Sequence, residues 1–234
     1  PASGGELAVA LAAGVPGERI ALHGNNKSAA EITTALRAGV GRIVVDSLAE
    51  IELVAALARE LGTRAPVMVR VTPGVRASTH EFIATAHEDQ KFGLSLAAGA
   101  EGEDSPALQA VVSCLDAADA LDLRGLHCHI GSQIFAAEGF AQAAQRVLAL
   151  REAVASRWDV VLPEVDLGGG HGVAYTAADS PRGVEEIAAD LAALLPAVLE
   201  SSALPAPHLS FEPGRYIAGP AGCTVYTVGR PSRP

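Results

Sequence analysis

The run Leu126-His127-Cys128-His129-Ile130-Gly131-Ser132-Gln133 places an imidazole at the end of an apolar stretch, followed by a glycine and a hydroxyl. At the end of a β-strand, His129 would offer a flat π surface and Ser132 a donor suited to a phosphate. Two further stretches carry complementary equipment. Asp166-Leu167-Gly168-Gly169-Gly170-His171-Gly172 sets three consecutive glycines after a second apolar run. Without Cβ atoms, successive backbone N–H groups can turn inward and approach an anion closely. The spacing is not the G-x-G-x-x-G of a dinucleotide fold. Glu212-Pro213-Gly214-Arg215 follows a third apolar run. Its acid and guanidinium either pair with each other or act apart. Acting apart, the carboxylate favours the protonated form of a pyridine nitrogen set against it. The arginine offers a fork for a phosphate or carboxylate.

Taken together, the three stretches supply a stacking His129, phosphate donors from Ser132, Gly170 and Gly214, and Glu212 for a ring nitrogen. That outline fits pyridoxal 5′-phosphate, whose protonated pyridine takes up the electrons left when a bond at Cα breaks.

The elements that must position these residues alternate regularly. Ser3-Gly4-Gly5-Glu6 has the form of a capping box and opens an Ala/Leu-rich helix that stops at Gly14. Strands are expected at residues 19–23, 42–45, 67–71, 123–128, 164–167 and 208–211. Helices are expected at 28–38, 46–61, 106–120, 140–156 and 184–201. Residues 72–95 are too long for a routine connection, which marks them as functional. The six strands carry continuous hydrophobicity, the mark of a parallel sheet buried on both faces. A doubly wound sheet and a (β/α) barrel both fit that pattern. The unusual residues fall just after strand C-termini on several strands, which favours the α/β barrel. If residues 208–211 form strand 8, the glycine loop follows strand 7, where barrels often bind phosphate.

Composition narrows the partners. The chain has 234 residues and a formal net charge of −10, which argues against nucleic acid and anionic membranes as partners. No apolar run is long enough to span a bilayer, and no basic region followed by an apolar run marks a secretory signal. Cys114, Cys128 and Cys223 are few and far apart, which suits a reducing cytoplasm. His127-Cys128-His129 lacks zinc-ligand spacing, so no metal is expected. Lys27 and Lys91 are the only lysines.

These motifs resemble the barrel domain of the fold-type III pyridoxal-phosphate decarboxylases. His23-Gly24-Asn25-Asn26-Lys27-Ser28 and the segment from Thr79 through Gly93 are similar to its diaminopimelate decarboxylase branch rather than to the ornithine or arginine enzymes. The resemblance covers nearly the whole chain and fails only over residues 229–234. It implies a (β/α)8 TIM-type barrel, with strands 3 to 8 present in residues 1–218 and a C-terminal β-domain beginning at 219–234. It implies decarboxylation of meso-2,6-diaminopimelate to L-lysine, an amino-acid substrate and a homodimer whose two subunits share each site. It also implies that His129 stacks on the cofactor, and that Ser132, Gly168, Gly169, Gly170, Pro213, Gly214 and Arg215 hold the phosphate. On the same pattern Glu212 contacts the pyridine nitrogen and Arg215 reaches a substrate carboxylate. A related ornithine, arginine or carboxypolyamine decarboxylase, or a non-catalytic binding relative, is the alternative.

The family's Schiff-base lysine lies in a Y-A-x-K-A-N-like motif at the end of strand 1, and no such motif is present here. Lys27 and Lys91 match neither its position nor its context, so structural roles are expected for both. On this pattern the chain begins near the end of strand 2 and is expected to be inactive alone. His171 stands where the family usually has an apolar residue. A titratable ring there would either perturb the phosphate loop or face solvent.

Overall fold

In the computed structural model, described over residues 1–75, 92–98, 103–176, 179, 181–223 and 225–227, strands and helices alternate along the chain. Lys91, most of the segment from Thr79 through Gly93, and residues 228–234 lie outside the described residues. The strands are β1 (Ala21–Leu22), β2 (Arg42–Val45), β3 (Ala65–Thr72), β4 (Leu94–Ser95), β5 (Leu121–Cys128), β6 (Glu164–Asp166) and β7 (His208–Ser210). The helices are α1 (Gly4–Ala12), α2 (Ala29–Arg37), α3 (Leu48–Glu60), α4 (Pro106–Asp116), α5 (Glu138–Trp158), α6 (Val184–Glu200) and α7 (Gly214–Ala218).

Strand order decides between the two architectures. The sheet runs β1-β2-β3-β5-β6-β7 and every pairing is parallel. A doubly wound sheet reverses its order at a switch point. This one never reverses, which is the progression of a (β/α) barrel. Because all strands run the same way, their C-termini share one rim. That rim holds His23, Asp46, His129, Gly168 and Glu212, each one or two residues beyond its strand.

Local chemistry explains the boundaries. Ser28 accepts from the Glu31 amide while Glu31 reaches back to the Ser28 amide, a complete capping box. Ser47 and Ser105 cap α3 and α4 in the same way, without the reciprocal acid. The box expected at Ser3 is only half formed: Glu6 donates its amide to Ser3, but its carboxylate accepts from Ala2. Residues 17–19 form a 3-10 turn, so β1 is shorter than the expected 19–23. The helix expected to reach residue 120 ends at Asp116, and β5 starts two residues earlier than expected. The long segment after β3, marked by its length as more than a routine connection, contains β4, which pairs with Val71 and Thr72. Because β5 already pairs with Val71, β4 must extend the β2 side of β3. Residues 219–221 form a 3-10 turn, and the described residues after it lie in no strand.

Fully buried Val, Ile, Leu and Ala residues of the strands and of helices α2 to α5 form one continuous core. At the rim opposite the site, Glu164 accepts from Arg42 at 2.6 and 2.7 Å and from Arg124 at 3.3 Å. Burial opposes the Glu164 charge, but the two guanidiniums outweigh it and hold its pKa low. A bulge makes room for this cluster. The β3–β5 register jumps from Leu123 to Gly125, leaving Arg124 unpaired, and Gly125 lies where a Cβ would overlap the Glu164 carbonyl.

Candidate cofactor site

The sheet curls far enough that its two edge strands meet at the rim. His23, just beyond β1, sets its Nε2 2.6 Å from Glu212 Oε1, just beyond β7. His127 of β5 sets its Nε2 3.2 Å from Glu212 Oε2, and its ring lies 5.0 Å from that of His23 in an edge arrangement. Burial works against the Glu212 charge, yet the contacts with His127 and His23 outweigh it and hold the carboxyl well below the usual range. Burial lowers the pKa of His127, and Glu212 offsets this only in part. These three side chains also bring ligand atoms within 4.8 Å of one another, a set a divalent ion could use. Pairing of N–H with carboxylate accounts for the cluster without one.

His129 lies just beyond the end of β5, two residues after His127. Its Nδ1 accepts from the Gly169 amide at 3.2 Å, which ties the ring to the glycine loop. Burial first and Arg70 second lower its pKa, keeping the imidazole neutral near pH 7. Asp166 accepts from the Gly168 amide at 2.8 Å, and its pKa is raised by burial and then by Glu212.

The glycine loop differs from the expected row of free anion donors. The Gly168 and Gly169 amides are engaged by Asp166 and His129, and the Gly214 amide donates to the Glu212 carbonyl at 2.7 Å. The missing Cβ atoms serve close backbone approach instead. At Gly168 a Cβ would overlap the Cys128 carbonyl, at Gly169 that of Glu212, and at Gly170 that of Gly131. Gly168 and Gly170 also have φ of +70° and +101°, where side chains are disfavoured. Ser132 accepts from Arg215, which leaves its own O–H free to donate. Arg215 also lies over the Tyr175 ring. Of the expected phosphate donors, the Gly170 amide, Ser132 and Arg215 therefore remain to face an anion. Pro213 precedes α7 and sets the turn between Glu212 and Arg215.

Gln133 holds the β5 and β6 loops together. At φ +59°, it donates to the Val173 carbonyl and accepts from the Val173 amide. His171 is not at the surface. It is buried, stacks on Phe140 at 4.9 Å and meets Phe211 edge-on, with Nδ1 unpartnered among the described residues. Lys27 is buried as well, its Nζ donating to the Gly24 and Val44 carbonyls and to both oxygens of Glu50. Burial lowers its pKa and Glu50 works against that. A cavity of about 570 Å³ lies between the end of β3 and helices α4 and α5, lined in part by Thr72, Ser95, Arg146 and Leu150. None of the residues of the His129–Glu212 cluster lines it.

Sequence reasoning passed over His23 and His127 as site residues. The signal was present in the i, i+2 relation of His127 to His129, which on a continuing strand would put both on one face.

Residues 1–219 match the family model described as pyridoxal-dependent decarboxylase, pyridoxal binding domain. The chain belongs to this family. A diaminopimelate decarboxylase of Corynebacterium efficiens is 50% identical over 228 residues, covering 97% of this chain and 48% of that protein. One from Mycobacterium tuberculosis is 52% identical over 231 residues, covering 97% and 50%. The crystal structure of diaminopimelate decarboxylase from M. jannaschii in co-complex with L-lysine superposes with a TM-score of 0.78 at 30% identity, covering 92% of this chain and 47% of that one. The chain thus spans about half the length of the relatives it matches. Family membership makes pyridoxal phosphate the cofactor class to fit to the rim. An anionic carboxylate, an imidazole and a group of N–H and O–H donors do match a cationic aromatic ring that carries a phosphate. Among the described residues no helix is long and apolar enough to cross a membrane.

Proposed function

We propose that this chain forms the pyridoxal-phosphate cradle of a decarboxylase acting on meso-2,6-diaminopimelate, with L-lysine and CO2 as products. The observation that carries this reading is Glu212, a carboxylate held anionic between two imidazoles on the rim that also holds His129, Ser132 and Arg215. The diaminopimelate decarboxylases about half identical to the chain support the substrate.

Each residue has a distinct task. Glu212 holds the proton of the ring nitrogen. His129, fixed through Nδ1 by the Gly169 amide, offers its ring to the cofactor face. Gly170, Ser132 and Arg215 hold the phosphate, with Gly168, Gly169, Pro213 and Gly214 shaping the loops around it. Arg215 can alternatively turn to a substrate carboxylate, because its fork suits either anion. When bound, the protonated pyridine takes up the electron pair freed as the substrate carboxylate leaves Cα. Residues 1–218 form the cofactor domain and 219–234 begin a second domain. The working form is a homodimer in the cytoplasm, consistent with unpaired Cys114, Cys128 and Cys223.

The test is release of CO2 by the protein as its gene encodes it, supplied in turn with meso-diaminopimelate, ornithine, arginine and a carboxylated polyamine. CO2 and L-lysine formed in equal amounts from diaminopimelate alone is the expected result. Activity on a monocarboxylate amino acid with none on diaminopimelate overturns the substrate assignment.

A further inference from the structure

We infer that His23 and His127 are positioning residues for Glu212: each donates from Nε2 to a different carboxylate oxygen and so aims a charged acceptor at the ring nitrogen of the bound cofactor. This rests on the reading of the site given above and adds two residues to it.

The geometry fixes the protons. An ionised carboxylate only accepts hydrogen bonds, so the imidazole nitrogens 2.6 and 3.2 Å from it both carry hydrogen. For His127 the other nitrogen is settled too. The residue is 1% exposed, and among the described residues its Nδ1 has no hydrogen-bond partner. A proton on Nδ1 would bury both an unpaired N–H and a cation, each penalised heavily when nothing compensates it. His127 is therefore a neutral imidazole with its hydrogen on Nε2. The groups facing it are Glu212, His23 and Asp166.

The arrangement leaves room for the cofactor. Two carboxylate oxygens offer roughly four lone-pair sites, and the imidazoles use two. The remaining pairs stay open to a ring N–H, so the histidines hold the carboxylate without competing for its role. Their origins matter as well. His23 follows β1 and Glu212 follows β7, the two ends of the described sheet, while His127 belongs to β5 between them. Three separate strands converge on one carboxylate, and rotation of Glu212 would break contacts with two of them.

Two measurements test this. In the cofactor-free chain labelled with 15N-histidine, long-range proton–nitrogen correlation should report hydrogen on Nε2 of both His23 and His127, with His127 staying neutral from pH 8 down through the range in which a free imidazole takes up its proton. A proton on His127 Nδ1 in that range overturns the inference. Equilibrium dialysis of pyridoxal 5′-phosphate against the protein as its gene encodes it supplies the second readout. His127→Phe and His23→Phe should weaken binding at least tenfold, while His127→Gln, whose amide can still donate, should stay within threefold of wild type. If Glu212→Ala weakens binding but His127→Phe does not, the positioning role fails and the cofactor site stands. If the wild type itself does not bind, both fail. Should a phenylalanine variant not fold, the tautomer spectrum of the wild type decides alone.

Discussion

Gly169 lies so close to the backbone of Glu212 that a Cβ added to it would overlap the Glu212 carbonyl oxygen. The glycine loop after β6 and the acid after β7 are thus one packed unit, joined also by the Glu212 amide donating to the Gly168 carbonyl at 2.9 Å. Gly169→Ala should push the end of β7 outward, destabilise the chain by about 2 kcal/mol, as overpacking does, and weaken pyridoxal-phosphate binding at least tenfold. Gly214→Ala, with open space around the new methyl, should leave stability within about 0.5 kcal/mol of wild type. Urea unfolding and cofactor titration of both variants check the contrast.

Arg215 and Ser132 are joined by a hydrogen bond across 83 residues of sequence. If they serve the phosphate, Ser132→Ala and Arg215→Met should lower affinity for pyridoxal 5′-phosphate about tenfold, the scale of one charge-assisted hydrogen bond. Affinity for pyridoxal, which lacks the phosphate, should hardly change. Equal losses for both ligands would place these residues elsewhere in the site.

Glu164 gives the chain an acid-sensitive anchor. Its pKa is held below the unfolded value by Arg42 and Arg124. Its contribution is therefore complete above the ordinary carboxylate pKa and is lost as pH falls through the lower folded value. Glu164→Gln should cost about 2 kcal/mol at pH 7, since it strips a buried carboxylate from two guanidiniums. The cost should shrink below pH 4. Urea midpoints measured from pH 3 to pH 8 report both effects.

His171 should behave in the opposite manner on substitution. Burial lowers its pKa below the unfolded value, so the folded state gives up stability as pH falls below about 6.5, where the unfolded imidazole binds a proton. His171→Leu removes that penalty and the unpartnered Nδ1, at the loss of the stack on Phe140. The variant should gain stability relative to wild type between pH 8 and pH 5, read as a rise in the difference between their thermal midpoints.

Much of this molecule was legible in its sequence, for local reasons. Ser28 and Ser47 announce helices because a hydroxyl satisfies an otherwise unpaired amide within three residues. Gly39 and Gly62, both at positive φ, mark helix ends. The apolar stretches at residues 43–45 of β2 and 67–69 of β3 read as strand because both faces are covered. The rim positions of His129, Gly168 and Glu212 followed from their places after β5, β6 and β7. What escaped depends on distance in sequence. The Glu212 contact with His127 spans 85 residues, and its partner His23 lies near the opposite end of the chain. Three consecutive glycines suggest anion binding, whereas the first two amides are bound by Asp166 and His129, because the loop must also pack against β5 and β7. β4, two residues long, is too short to carry a pattern.

The central claim is that Glu212 faces the ring nitrogen while Gly170, Ser132 and Arg215 hold the phosphate. A crystal structure of the protein soaked with pyridoxal 5′-phosphate tests it most directly. The ring nitrogen should lie within hydrogen-bonding distance of the Glu212 carboxylate, with the phosphate at the Gly170 amide. A cofactor bound instead in the cavity between β3 and α5, or one with its nitrogen turned away from Glu212, would contradict the account.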